Sequence, residues 1–478
     1  MRSNVFLRGR FRRGMAKTVW GLLVFAVGGL LTTGAYAKAD EAVAAGILGK
    51  DQWLFYRYEL TDSSDRDATL QSIALIGQFN KVLKANGVTL AVAMVPIKMR
   101  IYSEHLPDGI QINPYMDSNY SRMVTALAQA GVHVIDLNTP FLNHPQRLSP
   151  SPLFYRLDTH WSLAGAMAAA EVVKAEVDRN PALRSVVAKA PIKEYSVAYG
   201  SRKIPSAGRD LIEQLPTNSI KFPYEQITPV SVTPKLPVST SLIGHVEPPS
   251  IALLGSSYSK DWTGFADGLR YYLQRDVFSM GIGADQGSWV AMETYLRDDS
   301  YQNAPPKLLI WEMPERDMRA PPDFRYREAR YQRKNSDWLH MVAAWAQASC
   351  APSGKTVRFL PHGIGARANR ANEVRVAGTE RGDFVELEFD PPLSRFDYLG
   401  IDVRANGAHV LSIEAMNDSK PLRRWDVAMV GDDGKHSVKI PLPQDLSPVS
   451  RIRVAPGKTS GFSMAGPVVC TMPEHYFR

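Results

Sequence analysis

The 478-residue sequence predicts an α/β unit with a mainly parallel sheet, followed by a C-terminal β-sandwich. Three observations predict it. The first two thirds of the chain alternate segments of helical spacing with short, near-continuous apolar runs, the pattern of strands covered on both faces by helices. After Cys350 the apolar residues recur every second position between turn signals, as in a sandwich of short strands. The chain is also too long for one ordinary core, so two folded units with connectors are expected.

The elements follow in order. Arg2, Arg8, Arg10, Arg12, Arg13 and Lys17 open the chain with no acidic residue among the first 37; an apolar run over 19–31 and the small-x-small pattern Ala35-Tyr36-Ala37 come next. That order predicts a secretory signal cleaved after Ala37, with an uncleaved anchor as the alternative. Residues 47–56, with Trp53-Leu54-Phe55-Tyr56, form an apolar opening segment. Leu70, Ile73, Leu75, Ile76, Phe79, Val82 and Leu83 give 69–86 the spacing of a helix, and 88–95 reads as a buried strand ended by Pro96. A helix over 120–130 leads into a strand at 132–137, and the alanine-rich stretch 162–178 has strong helix propensity.

Eight prolines between Pro205 and Pro249 make long regular elements unfavourable over 201–249. This stretch is an extended excursion over the surface, either a lid or groove wall or a plain connector. A strand at 250–254 ending on Gly255, a helix over 287–298 and a strand at 307–313 complete the unit, and the charged stretch 315–349 is expected to be a helical bridge. Beyond it Val385, Leu387 and Phe389, then Ile401 and Val403, Leu411 and Ile413, Val438 and Ile440, and Ile452 and Val454 alternate with polar residues. Asn406-Gly407, Asn417-Asp418 and Gly431-Asp432-Asp433-Gly434 supply the turns. The expected division is 1–37 signal, 38–349 α/β unit, 350–478 sandwich.

A net charge of +8 invites a nucleic-acid reading, but six of those charges sit in residues 1–37. Processing leaves about +2, and nucleic acid is rejected as a partner. Only two cysteines occur, Cys350 and Cys470. In an oxidising compartment so few, so far apart, read as one disulfide; two free buried thiols are the alternative.

Two local runs carry chemistry. Leu157-Asp158-Thr159-His160-Trp161 places a carboxylate two residues from an imidazole just before a helix. A histidine acting as general base needs such a partner to hold its tautomer. A structural histidine, with Asp158 serving the helix start, is the bland reading. Gly255-Ser256-Ser257-Tyr258-Ser259 sits at the carboxyl end of a strand, where open α/β sheets bind ligands. A serine turned sharply there presents its hydroxyl, and its own N–H can meet a developing oxyanion; taken alone the run is also an ordinary turn. Together, Asp158, His160 and Ser257 make a catalytic triad candidate, with Tyr258 beside it as a candidate substrate contact. The ten histidines and two cysteines show no HxxxH or CxxC spacing, so neither a metal nor another cofactor is expected. Gly281-Ile282-Gly283 and Gly363-Ile364-Gly365 are isolated glycine pairs without a phosphate-binding context.

Trp53-Leu54-Phe55-Tyr56, Val95-Pro96-Ile97-Lys98, Leu157-Asp158-Thr159-His160-Trp161, Gly255-Ser256-Ser257-Tyr258-Ser259 and the run from Ile310 to Arg316 together resemble the AlgX/AlgJ family of SGNH-hydrolase-like acetyltransferases. That family serves bacterial exopolysaccharide, chiefly alginate, synthesis. The resemblance spans roughly residues 46–320. It implies a three-layer SGNH-like domain with Asp158, His160 and Ser257 as the triad. In the AlgX branch a carbohydrate-binding module follows the catalytic domain, and the sandwich matches that place. Trp425 beside Arg423 and Arg424, with Lys420 and Tyr398, is the candidate sugar patch, an aromatic platform with cations for carboxylates; a core tryptophan with solvated arginines is the alternative. The implied partners are an anionic, alginate-like exopolysaccharide, an acetyl-donating membrane acyltransferase and periplasmic polymer-export proteins. Two other functions stay open on the residues: an esterase that removes acetyl groups, and a non-catalytic polymer-binding adaptor of an export complex.

Overall fold

The computed structural model describes residues 44–477 except 217–219, 237–247, 284–285, 326, 330, 364–367, 371–372, 408–409, 430–435 and 447. The expected signal over 1–37, the residues Ile364 and Gly365 and the turn at 431–434 lie outside the described residues. Among those described, no helix is long and apolar enough to cross a membrane.

The opening apolar segment is a small hairpin, β1 (Gly46–Leu48) against β2 (Leu54–Tyr56). Helix α1 (Arg66–Ala85) leads to β3 (Thr89–Val95), and α2 (Pro114–Gln129) leads to β4 (His133–Asp136). Asn113 caps α2, with Pro114 at its first position, where a missing N–H costs nothing. The alanine-rich stretch is α3 (Leu163–Arg179), capped by Ser162. The elements that complete the central sheet and its covering helices are β5 (Ile251–Gly255), α4 (Phe265–Leu273), β6 (Phe278–Gly281), α5 (Gly287–Arg297) and β7 (Leu308–Pro314).

The five strands form one parallel sheet in the order β6-β5-β7-β3-β4. The two-residue period splits its side chains between two cores. Ala91, Ala93, Val95, Leu253 and Ile310 pack with Ala166, Ala169, Val173, Phe265 and Leu269 on one face. Leu90, Val92, Met94, Leu254 and Trp311 pack with Ile76, Phe79, Leu83, Leu127, Trp289 and Tyr295 on the other. This is the three-layer arrangement expected of near-continuous apolar strands, each large buried side chain contributing ~1.5–3 kcal/mol.

The bridge differs from expectation. Among the described residues of 315–349, α6 (Asn335–Trp345) and a short 310 turn (Glu315–Arg319) are the helical ones. Pro321 and Pro322 remove adjacent backbone donors between them, which ends any helical run there. Two five-stranded sheets follow. One runs Thr356–His362, Phe384–Leu393, Val449–Ala455, Val410–Asn417, Lys420–Ala428; the other runs Ala368–Arg370, Glu373–Val376, Phe462–Thr471, Asp397–Ala405, His436–Pro441. All pairings are antiparallel, and Val385, Leu387, Ile401, Val403, Leu411, Ile413, Ile440, Ile452 and Val454 meet in the core between them.

The sandwich is locked onto the α/β unit. Trp345 donates to the carbonyl of Lys439 at 3.1 Å, Lys439 Nζ to that of Gln347 at 2.6 Å, and the Gln444 N–H to Asp337 at 3.0 Å. Cys350 and Cys470 form a disulfide across 120 residues, a closure contributing ~4–5 kcal/mol on the loop-entropy account.

Candidate active site

The carboxyl ends of β5, β6, β7 and β3 converge on one edge of the sheet. Past β5 the chain turns through a single 310 turn, Ser257–Ser259. The serines on either side of Ser257 are held from below by one buried carboxylate of β7. Glu312 accepts from the Ser256 N–H at 2.7 Å and from the hydroxyls of Ser256 and Ser259 at about 3.0 Å. A Cβ on Gly255 would lie 2.3 Å from Glu312 Oε2, so only glycine admits that carboxylate. With both neighbours tied down, Ser257 is left to face outward. Burial pushes Glu312 up to about 8 against the pull of those three donors.

Residues 153–162 form a tight loop before α3, closed by Ser162 N–H to Leu153 O at 2.8 Å and Tyr155 N–H to His160 O at 3.2 Å. A buried ammonium grips its floor. Lys98, just past β3, donates to the carbonyls of Leu54 at 2.6 Å, Asp158 at 2.9 Å and Arg156 at 3.0 Å. Burial pushes Lys98 down to about 8.

The loop and the turn meet. His160 Nε2 lies 2.7 Å from Ser257 Oγ, and His160 Nδ1 lies 2.6 Å from Asp158 Oδ1, which also accepts the His160 N–H at 2.9 Å. A carboxylate at Nδ1 fixes the proton there and leaves the Nε2 lone pair toward the hydroxyl. Burial pushes the Asp158 carboxyl up, but the imidazole and the amides of Asp210 and His160 outweigh it and hold the group below its ordinary range. An imidazole so held can take a proton from the serine hydroxyl. The N–H of Ser257, first in its turn, is a donor with no partner inside that turn.

Several neighbours of this centre carry no recognisable sequence signal. Asp210, from the proline-rich excursion, interlocks with the triad loop: its N–H donates to Asp158 Oδ2 at 2.9 Å, and its carboxylate accepts from Thr159 N at 2.8 Å and Thr159 Oγ1 at 2.6 Å. Burial and the Asp158 charge push Asp210 up. Glu225 of the same excursion accepts from Arg156 N at 2.9 Å and Leu157 N at 3.3 Å. The excursion is therefore a clasp on the triad loop. Among the described residues, Asp158, His160 and Asp210 are the one group that could hold a cation, their ligand atoms all within 4.8 Å of one another. The two imidazole nitrogens face Asp158 and Ser257. A cavity of about 320 Å³ lies alongside, lined by Tyr155, Arg156, Ser162 and Glu225 but by neither His160 nor Ser257.

Two expectations need correction. Tyr258 is not a substrate contact: it is 1% exposed, its ring lies 5.1 Å from that of His160, and its hydroxyl donates to Thr159 O and accepts from Arg316. It is a post beneath the imidazole. Tyr398 is not part of a sugar patch, because it is 1% exposed in the cluster that contains Trp338 and Trp345. Nor do the other patch residues form one platform. On the strand Lys420–Ala428, Trp425 pairs with Ile413 and Arg423 with Ala415, both core-facing, while Arg424 pairs with Glu414 on the opposite face. Trp425 packs on the sandwich core, Arg423 meets Asp445 at 3.0 Å and Asp337 at 3.8 Å, Arg424 donates to Ser412 at 2.7 Å, and Lys420 is exposed.

Similarity to known proteins follows the same division. The family described as SGNH hydrolase-like domain, acetyltransferase AlgX, matches residues 47–315. The probable alginate O-acetylase AlgJ of Pseudomonas fluorescens is 31% identical over 301 residues, covering 59% of this chain and 70% of that one. The O-acetyltransferase domain of Pseudomonas putida AlgJ aligns at 26% identity with a TM-score of 0.51, over 63% of this chain and 99% of that one. Pseudomonas aeruginosa AlgX shares 17% identity with a TM-score of 0.61, over 90% of this chain and 96% of that one, so its fold extends through the sandwich. On this sequence match and this architecture, the chain belongs to the AlgX family of SGNH hydrolase-like acetyltransferase domains.

Proposed function

We propose that this protein is an exported O-acetyltransferase that modifies an anionic exopolysaccharide, alginate being the first choice, through a Ser257–His160–Asp158 triad. The observation that carries the reading is the unbroken chain of contacts from Ser257 Oγ through the imidazole to Asp158. The names of the AlgJ relatives support the acetyl group and the polymer.

His160 Nε2 takes the Ser257 proton as the hydroxyl attacks the carbonyl of an acetyl donor. The tetrahedral oxyanion is met by the Ser257 N–H. The donor's leaving group departs with the proton from His160, leaving acetyl esterified to Ser257. A sugar hydroxyl then gives its proton to His160 and attacks the same carbonyl, and Ser257 leaves, reprotonated, as the new sugar ester forms. Asp158 stabilises the imidazolium in both halves, and no redox partner is needed. The basic and apolar segments over 1–37 support export to the periplasm by a cleaved signal, with the α/β unit over 38–349 and a polymer-binding module over 350–478. A membrane acyltransferase as acetyl donor and polymer-export proteins as neighbours belong to the same reading. In the module, exposed Lys420 and Arg424 are the remaining candidate polymer contacts.

The test incubates purified protein with an acetyl ester, with and without oligomannuronate, and looks for acetylated sugar by mass spectrometry. Sugar acetylation that disappears in Ser257→Ala supports the proposal. Ester cleavage without acetylated sugar replaces it with a deacetylase.

A further inference from the structure

The stretch that follows the Ser257 turn is built rigidly yet presents three side chains to solvent, Lys260, Asp261 and Trp262. Thr263 is buried, and its hydroxyl lies 2.7 Å from the carbonyls of both Tyr258 and Lys260. The Thr263 N–H adds a second bond to Lys260 O at 2.9 Å, and the Lys260 N–H reaches Ser257 O at 3.3 Å. The backbone of 257–263 is thus fixed from beneath, and what it projects outward is pre-positioned.

One projecting side chain is Trp262, 51% exposed. Of the eight tryptophans among the described residues it alone is exposed; the others are buried or half-buried. Its ring stands edge-to-face on His160, centroids 5.0 Å apart and planes at 74°. A lone exposed aliphatic needs no explanation, but a tryptophan set against the imidazole of the site leaves a large polarisable face open where an acceptor must arrive.

Another is Lys260, also exposed. Its Nζ and the Ser257 Cβ each lie 3.1 Å from the point where Gly283 would carry a Cβ. A side chain at Gly283 would crowd both, so glycine there lets the Lys260 ammonium lie close beside Ser257. No carboxylate among the described residues pairs with Lys260 within 4.0 Å. Nearby charges include Asp261, exposed between Lys260 and Trp262, Asp158 and Asp210 behind the imidazole, and the buried Glu312 beneath the turn.

We propose that Trp262 and Lys260 form the acceptor subsite for a uronate residue. The axial C–H face of the pyranose lies on the indole, whose negative face attracts polarised hydrogens, and the sugar carboxylate meets the Lys260 ammonium. A ring hydroxyl is thereby held over the acyl carbonyl on Ser257. This rests on the transferase reading above and adds to it the residues that select a charged sugar.

The experiment uses the full mature chain, an acetyl ester as donor, and two acceptors of equal length, oligomannuronate and a neutral manno-oligosaccharide. Acetylated sugar and ester consumption are measured together. Lys260→Gln is expected to lower the preference for the charged over the neutral acceptor about tenfold, an effect that shrinks in high salt. Trp262→Ala is expected to raise the acceptor KM about tenfold for both sugars, with Trp262→Phe recovering most of the loss. An unaltered preference in Lys260→Gln, as expected if Lys260 merely neutralises Asp261, or an unmoved acceptor KM in Trp262→Ala, overturns the subsite while leaving the transferase standing. Wild-type protein that consumes ester yet acetylates neither sugar overturns both.

Discussion

The sheet edge around Ser257 and the strand Lys420–Ala428 each hold side chains suited to recognition, but the fold treats them oppositely. At the edge, residues from four distant segments, Lys98, Asp158, Asp210 and Ser257, are linked through His160 and Asp158 by contacts between 2.6 and 2.9 Å. On the strand, Arg423, Arg424 and Trp425 are adjacent in sequence, yet Arg424 points to the face opposite the other two, because successive residues alternate. A parallel sheet gathers its loops at one end, whereas a strand disperses its neighbours. Adjacency in sequence is thus weaker evidence for a site than position at the end of a strand.

That contrast can be broken or sharpened by mutation. The largest effect is expected for Asp158→Asn, which keeps the shape of the loop but removes the charge that fixes the imidazole tautomer. Single-turnover rates of acetyl transfer to Ser257 should fall by about 10³–10⁴-fold. A loss of less than tenfold would mean that Asp210 can serve in its place.

Next comes Glu312, which braces the Ser257 turn from inside the sheet. Glu312→Leu strands the Ser256 N–H and two hydroxyls and should cost ~3 kcal/mol in urea unfolding. Burial raises this carboxyl from 4.5 to about 8. A group whose folded pKa is raised contributes stability that is present below the unfolded value and lost as pH climbs through the folded one. This residue should therefore make the fold less stable as pH rises between about 4.5 and 8, and Glu312→Gln should flatten that slope. Unfolding curves of both proteins at pH 5 and pH 8 check the sign.

Asp210→Ala removes the acceptor for both Thr159 donors while leaving the Asp210 N–H on Asp158. The rate of acyl-enzyme formation should drop about tenfold, with Asp210→Asn restoring most of it, since an amide oxygen still accepts. The smallest effect belongs to the strand. Arg424→Ala should weaken polymer binding less than about fivefold at low salt, as an exposed cation contributes under ~1 kcal/mol. A loss there as large as that of Asp158→Asn would invert the comparison.

The alternating apolar segments were readable because burial on both faces of a sheet leaves little choice of residue, so α1, β3, β5 and β7 carry their pattern openly. The two local runs were readable for a different reason: each keeps its chemistry within five residues. Asp210 was not, since a carboxylate in a proline-rich stretch looks like any solvated turn residue, and its role depends on contacts across 52 positions. Glu312 was hidden by the same distance, being a lone acid in an apolar strand whose partners lie 56 positions away. A buried acid inside an otherwise continuous apolar run was the available signal. The helix α4 and strand β6 escaped notice because Gly268 interrupts one and the other is four residues long. Gly283 looked like half of an idle glycine pair until β6 brought it beside Ser257. Tyr398 misled because a tyrosine near arginines suits a binding face equally well, and only packing against the α/β unit decides its burial.

In the proposed reaction Ser257 carries the acetyl group between donor and sugar. Incubating wild type and Ser257→Ala with a radiolabelled acetyl ester, quenching in acid before acceptor is added, and mapping the label by peptide mass spectrometry tests it most directly. Label is expected on the peptide containing Ser257 in wild type, discharged by oligomannuronate, and none in the variant. Label on another residue, or label that persists in Ser257→Ala, would contradict it.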